Sequence, residues 1–338
     1  MIVITGGGTG GHLSIAKAVA KAYNKIGIKP IYIGSTKGQD KAWFEESELF
    51  SQTIFLSTSG VVNQNFFGKI KSLINIFKLS LHVKKILKQN GVKKVFSVGG
   101  YSASSAAIAA VLNGTPLFIH EQNAYIGKLN KLLRPFAKIF FSSYDEKSLA
   151  KDYPVESEWF NIQKDTKSLK TIAFLGGSQG ARAINEIAIQ IAPYLKEKNI
   201  KIVHQTGKEY EKIKEFYEKN NINADVFEFF SPLYEKLKDV DLAISRSGAG
   251  SMWELCAANI FTIFIPYPFA AGDHQYFNAK VLEDKNACKI IRQKDLNKDA
   301  LISAIESINF NDMKTSLKGL IKPNGAEKIV EIIENYKD

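Results

Sequence analysis

Two glycine-rich segments, and the histidine that follows the first of them, are the most chemically suggestive residues of this 338-residue chain. Residues 6–11 and 176–180 each follow a predicted strand and precede a predicted helix. Glycines at a helix N-terminus let backbone amides approach phosphate oxygens, so both segments are predicted to contact an anionic substrate. Two alternatives stay open for the first segment. One is a purely structural turn, and the other is a dinucleotide site, although the second predicted strand ends without the acidic residue that would hold a ribose.

His12 stands at the end of the first glycine-rich segment, on the first turn of the predicted helix. A histidine at such a position is ordinarily a cap or a surface residue. An imidazole with a pKa of about 6.5 can, however, accept a proton from a hydroxyl at neutral pH. We therefore predict that His12 acts as a general base.

Polar residues at three further boundaries suit a nucleotide sugar. Glu254 lies one turn into a predicted helix that begins after residues 245–251, where its carboxylate can accept both ribose hydroxyls or simply stabilise the helix N-terminus. Residues 120–123 (His-Glu-Gln-Asn) and Gln275 offer amides and a carboxylate to sugar hydroxyls. His274 with its neighbour Asp273 has no further ligands at usable spacing, so no metal site is predicted.

These residues require a scaffold, and the sequence indicates parallel sheets wrapped by helices, because short β-branched runs alternate with helical patterns. A polar stretch at residues 153–168 separates five predicted strands from six in the second half. The predicted architecture is two Rossmann-like domains with parallel sheets facing a central cleft, since ligands bind beyond the carboxyl ends of such strands. The two cysteines, each in an apolar run, exclude a disulfide framework and a thiolate metal cluster.

The net charge of +11 reflects a basic first half. Eight lysines and no acidic residue lie between Glu48 and Glu121, which indicates an anionic partner or surface. Within this interval, residues 66–88 form a predicted helix with two apolar stripes, of which one is enough to dock it. The surplus stripe and its lysines are predicted to enter an anionic membrane surface through Lys71, Ile76, Lys78, Leu79 and Lys85. The alternative is a helix buried on two sides, or two shorter helices.

Six motifs, in order along nearly the whole chain, resemble those of the MurG family, which transfers N-acetylglucosamine to a lipid intermediate of bacterial peptidoglycan synthesis. They are residues 7–12 (Gly-Gly-Thr-Gly-Gly-His), 98–101 (Val-Gly-Gly-Tyr), 120–123, 176–180 (Gly-Gly-Ser-Gln-Gly), 246–249 (Arg-Ser-Gly-Ala) with Glu254, and Gln275 with Asn278 and Ala279. The resemblance implies the GT-B fold, of the α/β class. It implies an acceptor and membrane domain at residues 1–160, joined by a C-terminal helix at 323–338, and a donor domain at 161–322.

The resemblance also implies which residues contact the substrates. Those implied for the donor are Thr9, Gly10, Gly11, Asn123, Ser178, Phe230, Ala249, Gly250, Ser251, Met252, Trp253, Glu254 and Gln275. Those implied for the acceptor are Gly7, Gly8, Gly100, Tyr101 and Glu121. Family members usually carry an arginine at the domain junction that reaches the donor phosphates, whereas residues 153–156 contain none. Lys164 or Arg182 is expected to replace it.

The implied reaction is inverting transfer from UDP-N-acetylglucosamine to the 4-hydroxyl of N-acetylmuramyl-(pentapeptide)-pyrophosphoryl-undecaprenol (lipid I to lipid II), with no cofactor. The expected partners are both substrates, an anionic membrane and other cell-wall synthesis proteins, but no nucleic acid. The chain opens directly into a strand and holds no apolar run of about 18 residues, so we expect a cytoplasmic protein. The resemblance implies that it is a peripheral protein at the cytoplasmic face of the membrane. The alternatives are a UDP-N-acetylglucosamine epimerase of the same architecture and a binding-only module.

Overall fold

The chain folds into two compact units in a computed structural model that describes residues 1–58, 65–177 and 180–337. Unit 1 comprises Met1–Val155 with Asn324–Asp338, and unit 2 comprises Glu156–Pro323. The first boundary therefore lies five residues before the one expected from the sequence. The stretch expected to be a linker is instead packed, because Tyr153 is buried in unit 1 and Trp159 is buried in unit 2.

Each unit contains a six-stranded parallel sheet. The strands of unit 1 are β1 (Ile2–Thr5), β2 (Ile31–Ser35), β3 (Gln52–Leu56), β4 (Lys94–Ser97), β5 (Leu117–Glu121) and β6 (Ile139–Ser142), in the order β3-β2-β1-β4-β5-β6. Those of unit 2 are β7 (Thr171–Leu175), β8 (Lys201–Gln205), β9 (Ala224–Phe227), β10 (Leu242–Ser245), β11 (Phe261–Phe264) and β12 (Cys288–Ile290), in the order β12-β11-β10-β7-β8-β9. Both orders are the Rossmann order, which reverses direction at the first strand of each sheet.

Helices connect the strands. In unit 1 they are α1 (Gly10–Lys25), α2 (Asp40–Phe44), α3 (Phe66–Gln89), α4 (Ser104–Asn113) and α5 (Lys128–Leu133). In unit 2 they are α6 (Arg182–Glu197), α7 (Tyr210–Lys219), α8 (Tyr234–Leu237), α9 (Ala249–Ala257), α10 (His274–Glu283), α11 (Lys298–Glu306) and α12 (Phe310–Leu317). The helix α13 (Gly325–Asn335) follows unit 2 in sequence but belongs to unit 1.

Helix α13 closes unit 1 through apolar and polar contacts. Its buried face carries Ile329, Val330 and Ile333, and it packs against α1. The Tyr23 hydroxyl donates to Glu334 Oε1 at 3.1 Å, and Lys94 Nζ donates to the carbonyl of Ile333 at 2.7 Å. The last helix thus belongs to the layer of helices that packs on the sheet of unit 1.

Helix α3 is one continuous helix, but the face predicted to contact a membrane was the wrong one. Ile76 is buried, and Leu79 packs against the core of unit 1, so neither can form an outer apolar surface. That side docks because Val83 and Leu87 join the same core cluster as the alanines of α4, whose small side chains allow close approach.

The other stripe of α3 is the exposed one. It consists of Phe67, Ile70, Leu73, Ile74, Phe77 and Leu81, which are 41–80% exposed. We call these six residues the α3 apolar face. Lys71, Lys78 and Lys85 are exposed as predicted. Within the ranges that the structure describes, no helix is both long and apolar enough to span a bilayer.

Candidate active site

The loop from β1 to α1 lies at the point where the strand order of unit 1 reverses, beside the loop after β4. The amide of Gly7 donates to the carbonyl of Gly99 at 3.3 Å, which joins the two loops. Gly8 has a φ of +86°, and a Cβ at this residue would lie 2.5 Å from Tyr101 Cε1. Only glycine therefore fits under the Tyr101 ring. The structure thus brings together four of the residues implied for the acceptor, namely Gly7, Gly8, Gly100 and Tyr101.

His12 is half-buried on the first turn of α1, and both of its ring nitrogens have polar neighbours. Thr9 Oγ1 lies 2.9 Å from Nδ1, and Gln122 Nε2 lies 2.9 Å from Nε2. An amide nitrogen only donates, so the contact with Gln122 suits a neutral ring in which Nε2 accepts; the same amide nitrogen also lies 3.2 Å from Nδ1. The ring is therefore oriented as a base whose accepting nitrogen is covered by the side chain of Gln122.

The last residues of β5 hold the loop that follows this strand, and they do not all face a ligand. Glu121 is buried, and its carboxylate accepts hydrogen bonds from the amides of Asn123 and Gly127 and from Asn130 Nδ2, at 2.9–3.0 Å. The carboxylate implied for acceptor contact is thus occupied in fixing the loop that carries Asn123. Burial, with a smaller effect of His12, lowers the pKa of His120 to about 3, so this imidazole is neutral.

The glycine-rich loop of unit 2 occupies the corresponding reversal point, between β7 and β10. Gly180 has a φ of +73°, and a Cβ at this residue would lie 2.9 Å from the carbonyl oxygen of Thr206. Helix α6 then begins at Arg182. Ser178, which the sequence assigns to the donor, lies outside the described residues.

Helix α9 begins at the reversal point of unit 2 and offers only part of the predicted donor set. Ala249, Gly250 and Ser251 form its first turn after the N-cap residue Gly248. The side chains of Met252 and Trp253 are buried in the core, and the Met252 amide already donates to the carbonyl of Gly248 at 2.9 Å. Any contact of these two residues with the donor must therefore come from the backbone, and their assignment stays a prediction.

Glu254 and the residues of α10 lie around this helix start. Glu254 is half-buried. Gln275 Oε1 accepts a hydrogen bond from the Tyr267 amide at 2.9 Å, and the buried Asn278 donates through Nδ2 to the carbonyl of Ser247 at 3.2 Å. Gln275 and Asn278 thereby hold the loops that follow β11 and β10. Phe230 is half-buried beside Lys236, whose Nζ lies 5.2 Å from the ring centre.

The cations expected to replace the family arginine have different surroundings. Lys164 Nζ lies 2.7 Å from Asp241 Oδ1, so its charge is neutralised inside unit 2. Arg182 is 83% exposed, and it pairs at the surface with Glu186 Oε1 at 2.7 Å. Arg182 is therefore the better placed of the two to meet a phosphate. In the described part of the chain, no group of three or more histidine, cysteine, aspartate or glutamate residues is arranged to hold a metal ion.

Sequence reasoning missed Asp40 of the unit 1 site, and it did not predict the contact between Gln122 and His12. Gln122 was part of a recognised motif, but its contact with His12 spans 110 residues of sequence. Asp40 lies in a polar segment after β2 without any motif. Its carboxylate accepts hydrogen bonds from the amide of Gly8 and from that of Ser35, the last residue of β2. An acidic side chain thus reaches the end of β2, although the sequence shows none at that position.

Comparisons with known proteins agree with this geometry. Residues 2–142 match the glycosyltransferase family 28 N-terminal domain, and residues 171–335 match the C-terminal domain of the same family. Proteins named "UDP-N-acetylglucosamine--N-acetylmuramyl-(pentapeptide) pyrophosphoryl-undecaprenol N-acetylglucosamine transferase" are close relatives. The one from Campylobacter jejuni subsp. doylei is 50% identical over 98% of this chain and 96% of its own length, and the one from Wolinella succinogenes is 46% identical over 98% and 99%.

Solved structures share the fold. The crystal structure of Acinetobacter baumannii MurG matches with a TM-score of 0.79 and 26% identity, covering 99% of both chains. The S. aureus MnaA-UDP co-structure matches with a TM-score of 0.66 over 99% of this chain and 96% of its own, but at 14% identity it shows a common fold alone. The predicted GT-B fold is confirmed. With near-complete coverage at half identity, the chain belongs to the MurG family of family 28 glycosyltransferases.

Proposed function

We propose that this protein transfers N-acetylglucosamine from UDP-N-acetylglucosamine to the 4-hydroxyl of N-acetylmuramyl-(pentapeptide)-pyrophosphoryl-undecaprenol, the step from lipid I to lipid II. The observation that carries the proposal is the 50% identity, over 98% of the chain, to transferases whose name states this reaction. The epimerase alternative has only the common fold in its favour, and nothing in the described site favours it over transfer.

His12 is the proposed general base. With Nε2 as its accepting nitrogen the neutral ring can take a proton, and Thr9 holds the ring through Nδ1. The acceptor hydroxyl would take the position now held by Gln122 Nε2, donate to His12 Nε2 and lose its proton as the bond to the anomeric carbon forms. In the inverting reaction, UDP departs from the opposite face of the sugar.

Unit 2 is the proposed donor domain. The first-turn amides of α9 and of α6 carry the partial positive charge that would stabilise a diphosphate. Glu254 would accept the ribose hydroxyls, and Gln275 would contact the sugar through the group it does not use on Tyr267. Arg182 is the proposed cation for the phosphates, since Lys164 is paired with Asp241.

No cofactor is proposed, because helix N-termini and Arg182 can balance the charge of the departing UDP. The one Asp-x-Asp sequence, Asp239-Val240-Asp241, has its second carboxylate occupied: Asp241 lies 2.7 Å from Lys164 Nζ and accepts hydrogen bonds from the amides of Lys170 and Thr171. We expect activity to survive exhaustive chelation with EDTA. Complete loss that Mn²⁺ or Mg²⁺ restores would show that a metal balances this charge instead.

The α3 apolar face is the proposed membrane contact, in place of the face chosen from the sequence. Six large apolar side chains there are exposed beside Lys71, Lys78 and Lys85. Lysines near an anionic leaflet each contribute about 1 kcal/mol, and apolar side chains add a contribution that salt does not weaken. The protein would thus work as a peripheral enzyme on the cytoplasmic membrane face, where its lipid acceptor lies and other cell-wall synthesis proteins can meet it.

The deciding experiment offers the protein UDP-N-acetylglucosamine and a soluble lipid I analogue, and analyses the products by mass spectrometry. We expect a disaccharide with a β-1,4 link and one UDP released per disaccharide. An epimerised nucleotide sugar formed without acceptor, with no disaccharide, would establish the epimerase instead.

A further inference from the structure

The buried carboxylate of Asp40 holds the glycine-rich loop of unit 1 in place. Asp40, the first residue of α2, is fully buried. Its Oδ2 accepts a hydrogen bond from the amide of Gly8 at 2.6 Å, and its Oδ1 accepts one from the amide of Ser35 at 3.0 Å. The Tyr32 hydroxyl lies 3.1 Å from Oδ1 and 2.9 Å from the carbonyl oxygen of Gly6. The Asp40 side chain therefore joins the end of β2 to Gly8 in the turn that leads into α1.

The surrounding glycines leave room for this carboxylate. A Cβ at Gly7 would lie 2.6 Å from Asp40 Oδ1, and a Cβ at Gly34 would lie 2.8 Å from the same atom. The need for glycine at positions 7 and 34 is thus explained by the Asp40 carboxylate, which occupies the space of a Cβ there, and not by an incoming ligand. The amide of Gly8, which a phosphate would otherwise take in a loop of this kind, is already occupied.

Both carboxylate oxygens are needed, because each accepts a hydrogen bond from a different backbone amide. An asparagine has the same shape but only one acceptor oxygen, so its NH₂ group would face the N–H of either Gly8 or Ser35. That arrangement removes one hydrogen bond and opposes two donors in a buried place. The loop would have to move away from its observed position.

The residues displaced with Gly8 are those that orient the proposed base. Thr9 follows directly and its hydroxyl contacts His12 Nδ1 at 2.9 Å. On the other side, the ring of Tyr101 lies against Gly8. We propose that Asp40 is a positioning residue for catalysis, whose carboxylate fixes Gly8 and thereby aims Thr9 and His12 at the acceptor hydroxyl. This inference rests on the proposed function, because that function identifies the hydroxyl that His12 would deprotonate. The contacts of Asp40 with the loop do not depend on it.

The test compares Asp40→Asn with Thr5→Val. Thr5 is also fully buried at the end of β1, and its hydroxyl donates to the carbonyl of Ile33 at 2.7 Å without touching the loop. Thr5→Val therefore controls for the loss of a buried hydrogen bond nearby. Turnover and KM for both substrates are measured with the soluble acceptor analogue, and the His12 ring nitrogens are observed by ¹H–¹⁵N NMR.

We expect Asp40→Asn to lower kcat by about 10- to 100-fold, the scale of a base misplaced by about 1 Å, while KM for UDP-N-acetylglucosamine is unchanged. The His12 ring resonances should shift in Asp40→Asn and stay in place in Thr5→Val. Asp40→Glu keeps both acceptor oxygens, so it should recover part of the turnover, and it replaces Asp40→Asn if that variant does not fold.

Wild-type kcat in Asp40→Asn, or an equal loss in Thr5→Val, would overturn the inference, as would unmoved His12 resonances. Failure of the proposed function is distinguishable, because the wild-type protein would then form no disaccharide while the NMR comparison would still report on the loop.

Discussion

Replacing Leu73 and Phe77 of the α3 apolar face with glutamine tests whether this face contacts a membrane. The two side chains are 56% and 54% exposed, so about half of each remains to be buried by a lipid surface. Complete burial of a leucine or phenylalanine side chain contributes about 1.5–3 kcal/mol, so the two halves together contribute about 1.5–3 kcal/mol. The double variant should therefore bind vesicles about 10- to 150-fold more weakly.

The measurement is co-sedimentation with vesicles that contain anionic lipid, at low and at high salt. The double glutamine variant should lose the binding that remains at high salt. A matched variant, Lys71→Gln with Lys78→Gln, should lose mainly the part that salt already weakens, because exposed charges are screened. Both variants should retain wild-type turnover on a soluble acceptor analogue, since these side chains lie on the outer face of α3.

Unchanged vesicle binding by the double glutamine variant at both salt concentrations would refute the reasoning. The α3 apolar face would then be an exposed surface without a lipid partner. Loss of turnover on the soluble analogue in parallel with binding would also count against it, because the effect would come from damage to unit 1.

Three further predictions concern the site and stability. His12→Ala should lower turnover by about 10²- to 10⁴-fold with UDP affinity retained, and a variant that keeps a large part of wild-type turnover when chemistry is rate-limiting would exclude the base assignment. Glu254→Ala should weaken UDP binding by about 1.5–3 kcal/mol in calorimetry, the range for a hydrogen bond to a charged group, and equal affinity would remove Glu254 from the donor site. Burial lowers the pKa of His204 to about 3, so the unfolded chain binds a proton there that the folded chain does not, and stability should fall as the pH decreases from about 6.5 towards 3. His204→Gln should reduce the slope of unfolding free energy near pH 5 by about 1.4 kcal/mol per pH unit in urea titrations, whereas an unchanged slope would contradict the assignment.

Much of the fold could be predicted because buried parallel strands are short continuous apolar runs. Strand β1 was predicted with its observed bounds, and its glycine-rich exit identified the edge of the sheet where the site lies. Strand β3 was missed because it is an edge strand with polar residues at its start, Gln52 and Thr53, and therefore lacks that pattern.

The error at α3 has a physical cause. An amphipathic pattern shows that a helix has an apolar stripe, but which of two stripes is buried depends on the neighbouring element. For α3 that neighbour is the alanine-rich α4, which accepts Val83 and Leu87. Asp40 could not be found because its contact with Gly8 depends on how the chain folds between β2 and α2.

The place of α13 in unit 1 has a consequence for synthesis on the ribosome. Unit 1 is interrupted by residues 156–323, so the helix that covers Tyr23 and Lys94 emerges only after all of unit 2 has been translated. Domains generally fold as they emerge from the N-terminus, and here the second unit has its complete sequence before the first. Until then the nascent first unit exposes the apolar surface that Ile329 and Ile333 later cover. A frameshift or stop codon after residue 323 would therefore damage the unit translated first and leave the later unit with its whole sequence.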